Sequence, residues 1–153
     1  MRNRIKIIGV ACASVAMALG AWSLAPDGEN AGRLKPNDDQ VVTLGQSIYK
    51  AQCASCHGTD LEGEPNWRQL KPDGTMPAPP HNKRGHTWHH SDEVLFRLTK
   101  FGLAAYLNNP DYKSAMPAYE NILTDNEIVA VLSYIKSTWP EEIRKRHDRL
   151  NEQ

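Results

Sequence analysis

Cysteine is scarce in this chain, with three in 153 residues. Cys12 lies in an apolar N-terminal segment, and Cys53 and Cys56 share one short motif. With that segment removed, the motif uses every thiol and leaves none for a disulfide. A structural zinc site needs four ligands, usually two cysteine pairs, and there is no second pair. Strand signals are nearly absent as well, which removes the βαβ setting of a thioredoxin-like redox pair. No basic stripe points to nucleic acid. There is no internal repeat and no constellation of general acid, base and nucleophile.

Acidic residues are missing from positions 1–26, which carry only Arg2, Arg4 and Lys6 as charges. From Ile7 to Pro26 the chain runs without a charge. That pattern predicts an export segment, either a cleaved signal peptide or a membrane anchor of about the 20 residues that span a bilayer. As a signal peptide, its apolar region is Ile7 to about Met17, with small residues at Ala18 and Gly20. Too few apolar residues precede Cys12 for a lipidation site, so it reads as a small apolar residue of that segment. Either way the domain is expected outside the cytoplasm, in the periplasm, soluble or held at the outer face of the inner membrane. Without residues 1–26 the chain has 15 basic residues (18 − 3) against 18 acidic ones, a net charge of −3.

Residues 27–40 (DGENAGRLKPNDDQ) are polar, with two glycines and a proline, and predict a linker. The folded domain is expected over 41–153, with a charged tail from Pro140 as a solvated helix or frayed end. A helix from Val41 to Tyr49 would place Leu44 and Ile48 on one face. Between Gly58 and His90 glycine and proline recur without a period, which predicts a loop. Ser91, followed by Asp92 and Glu93, marks the N-cap of a helix that turns Val94, Leu95, Leu98 and Phe101 inward and stops at Gly102. A loop from Leu103 to Ile122 carries Met116 and Pro117. Thr124 and Glu127 form a capping box ahead of Ile128, Val131, Leu132 and Ile135, with Trp139 one turn on.

Cys53-Ala54-Ser55-Cys56-His57 is Cys-x-x-Cys-His, the attachment signature of haem c. Two thiols at this spacing reach the two vinyl groups on one porphyrin edge, and the adjacent His57 presents its imidazole to the iron. One covalently bound haem c is therefore expected, with Cys53, Cys56 and His57 as its binding residues. For the second axial position the candidate is Met116, in a loop stiffened by Pro117. Met76, a short distance from His57 in sequence, is a rival, and a histidine or an open site remain alternatives.

In that order, Gly45-x-x-Ile48-Tyr49, Cys53-x-x-Cys56-His57-Gly58, Met116-Pro117-x-Tyr119 and a helix with Glu127 and Tyr134 resemble the class I bacterial mono-haem c-type cytochromes, over about Val41 to Trp139. The resemblance implies an all-α, cytochrome c-like fold of three to five helices around one haem. It implies that the first and last helices cross, with Gly45 near Tyr134, and that a proline carbonyl, Pro79, accepts the Nδ1 proton of His57. The long stretch from Gly63 to His90 departs from a compact member of that family. It holds His81, His86, His89 and His90 with Trp67 and Trp88. These histidines lack the regular spacing of a copper or zinc cage, and are expected to cover the haem or bind its propionates.

The expected function is one-electron transfer by a His/Met-ligated haem, without enzymatic activity. Expected partners are redox proteins: a quinol-oxidising complex or dehydrogenase on one side, a terminal oxidase or other acceptor on the other. Two alternatives are a fixed haem subunit of a membrane dehydrogenase or oxidase complex, and a haem sensor or enzyme with an open distal site.

Overall fold

The computed structural model describes residues 32–152. The expected signal peptide or anchor (1–26) and the start of the expected linker lie outside them. Five α-helices follow in order: α1 (Asp39–Gln52), α2 (Ala54–His57), α3 (Asp92–Tyr106), α4 (Asp125–Ser137) and α5 (Glu141–Asp148). No strand occurs among the described residues, so the all-α expectation holds. The stretch between α2 and α3 contains only a single 3-10 turn, Thr87–His89.

The packing of α1 against α4 is the main helix–helix contact. Ile48 and Tyr49 of α1 bury against Ile128, Val131, Leu132 and Ile135 of α4, with Leu95 and Phe96 of α3 completing the core. Gly45 sits where the two backbones meet. A Cβ there would lie 2.0 Å from the Ala130 carbonyl oxygen and 2.9 Å from the Tyr134 Cβ. Backbone cannot retract from such an overlap as a flexible side-chain end can, so the crossing requires glycine at this position. The helix-propensity cost of Gly45 is offset by the closeness it permits.

α1 begins at Asp39, ahead of the expected Val41, because the Asp38 carboxylate caps the amides of Gln40 and Val41. The polar linker expected over 27–40 also ends earlier. Leu34 is buried, its amide donates to Asp92 Oδ2 at 3.0 Å, and the Lys35 amide donates to Ser133 Oγ at 2.9 Å. One apolar side chain and two backbone donors suffice to tie down a segment whose composition reads as linker.

α3 breaks where expected. Gly102 takes φ 78° and ψ 164°, and the chain resumes a helical turn to Tyr106. The kink exposes the carbonyls of Thr99 and Lys100, which accept the amide of Tyr119. Phe96 occupies the core, and Phe101, expected inward, stays 40% exposed. In α4 the capping box forms as predicted, with Thr124 Oγ1 accepting the Glu127 amide and Glu127 Oε2 accepting the Thr124 amide.

The tail from Pro140, expected as solvated or frayed, is instead part of the fold. α5 returns to the 3-10 turn Thr87–His89 and buries His147 completely. His147 Nε2 donates to the His90 carbonyl at 2.8 Å. Burial and the neighbouring Lys136 ammonium hold the ring's pKa below its ordinary value, so it packs as a neutral group. Lys136, itself buried, pairs with Asp148 of α5 at 2.7 Å and with Asp92 of α3 at 3.6 Å. A buried ammonium is tolerable only with such partners, and this one joins α3, α4 and α5.

Gly45→Ala is expected to lower the unfolding free energy by about 3 kcal/mol through overpacking at the crossing. Denaturant unfolding of the haem-loaded protein measures it. A loss under about 0.5 kcal/mol, the size of an ordinary surface change, would show that the helices do not approach this closely.

Candidate functional site

The end of α1 leads directly into the Cys-x-x-Cys-His motif. Gln52 closes α1, Cys53 is the junction, and α2 is one short helical turn carrying Cys56 and His57. Two tyrosine hydroxyls fix this turn. Tyr49, fully buried, donates to the Gly58 carbonyl at 2.8 Å just beyond α2. Tyr119 donates to the Gln52 carbonyl at 2.9 Å, satisfying one of the acceptors that the last turn of α1 leaves open. Burial pushes the Tyr119 phenol up to about 12, with the Cys53 and Cys56 sulfurs adding to it, so the hydroxyl remains a proton donor.

Cys53 is partly buried and Cys56 exposed, and both are free thiols. Burial pushes the Cys53 thiol up to about 11, with Cys56 adding to the effect. A neutral thiol next to a second one is suited to addition across a vinyl group, the bond by which haem c is attached.

His57 is buried with an asymmetric environment. Its Nδ1 donates to the Pro79 carbonyl at 2.8 Å, the partner that the resemblance implied. Its Nε2 has no hydrogen-bond partner among the described residues. Desolvation pulls its pKa below the ordinary value, against the raising effects of the Pro79 bond and the Glu64 carboxylate. The ring is therefore neutral with its lone pair on Nε2, the state in which imidazole ligates a metal.

The long loop builds the support for Pro79. The Glu64 amide donates to the Ala78 carbonyl at 2.8 Å, and the Ala78 amide donates back to Glu64 Oε2 at 2.6 Å. Lys71 pairs with the same carboxylate at 3.0 Å. Those hydrogen bonds hold the Glu64 carboxylate below its usual pKa range.

Met116 is partly buried and packs against the core, on a loop braced by Ser114 Oγ, which accepts the Met116 amide at 3.1 Å. Tyr119, three residues on, ties that loop to the end of α1. Met76 lies on the surface, 37% exposed.

The four loop histidines do not converge on one point, although the His86 and His90 rings meet edge to face with centroids 5.5 Å apart. His81 turns inward and stacks on His57, while His86 stacks on Trp67 and His89 on Trp88. Among the described residues no group of three or more His, Cys, Asp or Glu side chains is arranged to hold a metal ion. His81 stands in the sequence only as one of four loop histidines, and its partner Thr87 and the brace at Glu64 carry no sequence signal. Nothing in the spacing of 81–90 separates His81 from its neighbours; the only signal is its position just after Pro79 and Pro80.

Two free thiols flanking one helical turn, with a buried imidazole whose Nε2 is unpartnered, fit a haem attached by its edge and ligated at its iron. The model of the cytochrome c family matches residues 42–139, and the chain belongs to that family. Members bind haem c covalently through its iron-bearing macrocycle, and the family's general work is electron transfer. No curated protein and no solved structure matches the chain.

Tyr119→Phe is expected to cost about 1 kcal/mol, the net contribution of one hydrogen bond. It should also speed amide hydrogen exchange across residues 115–120. Unchanged exchange in that loop would show that the Gln52 contact does not hold it.

Proposed function

We propose that this cytochrome c is a one-electron carrier with Cys53 and Cys56 as its thioether residues, His57 as proximal ligand and Met116 as distal ligand. The observation that carries the reading is His57, held at Nδ1 by Pro79 and left open at Nε2 beside the thiol pair. The bound haem supplies a reversible one-electron change at its iron. The chain's own residues hold that site still while the charge changes: Pro79 keeps the imidazole oriented, and Tyr49 and Tyr119 keep the motif turn in place.

Met116 is favoured over Met76 by its packing, since a ligand loop must rest on the core and Met76 does not. A thioether in the distal position stabilises the reduced iron and raises the potential relative to a second imidazole. With His57 and Met116 both holding it, a haem iron would have no place for a substrate, which favours a carrier over an enzyme.

The N-terminal charge pattern supports a periplasmic site of action, with the domain free or tethered by residues 7–26. Donor and acceptor would be redox proteins, a quinol-oxidising complex or dehydrogenase and a terminal oxidase among them. The net charge of −3 over residues 27–153 favours docking through a local patch rather than a global field.

Optical spectra of the oxidised and reduced protein test the ligand set. The oxidised wild type is expected to show the near-red sulfur-to-iron band, and Met116→Ala to lose it and to bind carbon monoxide once reduced. A wild type that lacks the band or binds carbon monoxide readily would replace the carrier reading with an open-site sensor or enzyme.

A further inference from the structure

We infer that His81 is a positioning residue for the iron ligand: its ring lies flat against His57 and fixes the direction of that imidazole plane. The inference rests on the proposed role of His57. The two rings are 4.0 Å apart between centroids, with 23° between their planes. That is contact over a face, and it constrains a motion that the Pro79 bond alone does not. A single hydrogen bond at Nδ1 leaves the His57 ring able to pivot about the line to its acceptor. A parallel ring at van der Waals distance blocks the pivot from that side.

A ring can brace another only if it is itself held, and His81 is held at each of its polar groups but one. Its amide donates to the Leu61 carbonyl at 2.9 Å. Its carbonyl accepts the indole N–H of buried Trp139 at 2.7 Å. Its Nδ1 shares a hydrogen bond with Thr87 Oγ1 at 2.8 Å, and Thr87 is buried. The Tyr49 ring meets it edge-on, with centroids 6.4 Å apart. Four parts of the chain thus fix His81, two at its backbone and two at its ring: the segment after α2, Trp139 just beyond α4, the 3-10 turn and α1. The other loop histidines have no such set of contacts. A residue that merely filled space beside His57 would need neither a planar ring nor a partner at Nδ1.

The orientation of an axial imidazole plane sets which iron d orbital it overlaps. That overlap is read directly in the oxidised protein, in the spread of the haem-methyl proton resonances and in the g-value anisotropy. The experiment compares these spectra for the haem-loaded wild type, His81→Ala, His81→Leu and His81→Phe. His81→Ala is expected to shift the methyl resonances and broaden the g-value distribution. His81→Phe, which restores a flat face, should return them toward wild type, and His81→Leu, which restores bulk alone, should not.

Unchanged spectra in His81→Ala, or equal recovery by leucine and phenylalanine, would overturn the inference. Should His81→Ala fail to mature, Thr87→Val frees the His81 ring at Nδ1 while keeping it in place. A methyl shift in Thr87→Val supports the brace, and wild-type resonances contradict it. A wild type whose spectra show no histidine ligand would overturn the assignment of His57 itself, which is a different failure.

Discussion

The crossing of α1 and α4 at Gly45 is the contact on which the rest of the molecule depends. With no side chain between the backbones, α1 lies close enough for Ile48 and Tyr49 to sink into the α4 face. Tyr49 then reaches past the end of its own helix to the Gly58 carbonyl. The direction of α1 therefore sets the direction of α2, and α2 carries Cys56 and His57, two of the four residues proposed to hold the haem. Tyr119 uses the same helix end from the other side, through Gln52, and brings the Met116 loop with it. One helix terminus thus anchors both the attachment motif and the candidate distal ligand.

An electron carrier benefits from a site that does not rearrange when the iron changes charge, since preorganised groups cost no reorganisation at the moment of transfer. The surroundings of His57 have that character. Its tautomer is set by the Pro79 carbonyl, the carbonyl is set by the paired Glu64–Ala78 bonds, and the ring is faced by His81. The stretch between Gly63 and His90 supplies all of these groups. A stretch whose only regular element is one 3-10 turn thereby buttresses the His57 imidazole.

Helices α3 and α4 were legible because their caps and apolar periods are local. Ser91, Gly102, Thr124 and Glu127 act within a turn of where they stand, and each did what its chemistry predicts. The attachment motif was legible for the same reason. What was not legible depends on contacts between distant segments. Leu34 looks like a lone apolar residue in a polar stretch until Asp92 meets its amide from 58 residues away and Ser133 meets that of Lys35 from 98. The tail looks solvated because Glu141, Glu142, Lys145 and Arg146 do face outward. Its inward residues are Ile143, a lone apolar side chain among charges, and His147, which is polar and gives no hydropathy signal. His81 was hidden similarly, among histidines of equal appearance whose partners lie elsewhere in the chain.

The most direct test of the central claim is the mass of the mature protein after denaturation, with and without both motif cysteines. The wild type should carry the mass of one haem through unfolding in acid and organic solvent, and a Cys53→Ala/Cys56→Ala double variant should not. Retention of one covalent haem by the double variant, or none in the wild type matured with the haem-attachment machinery, would contradict the assignment of this site.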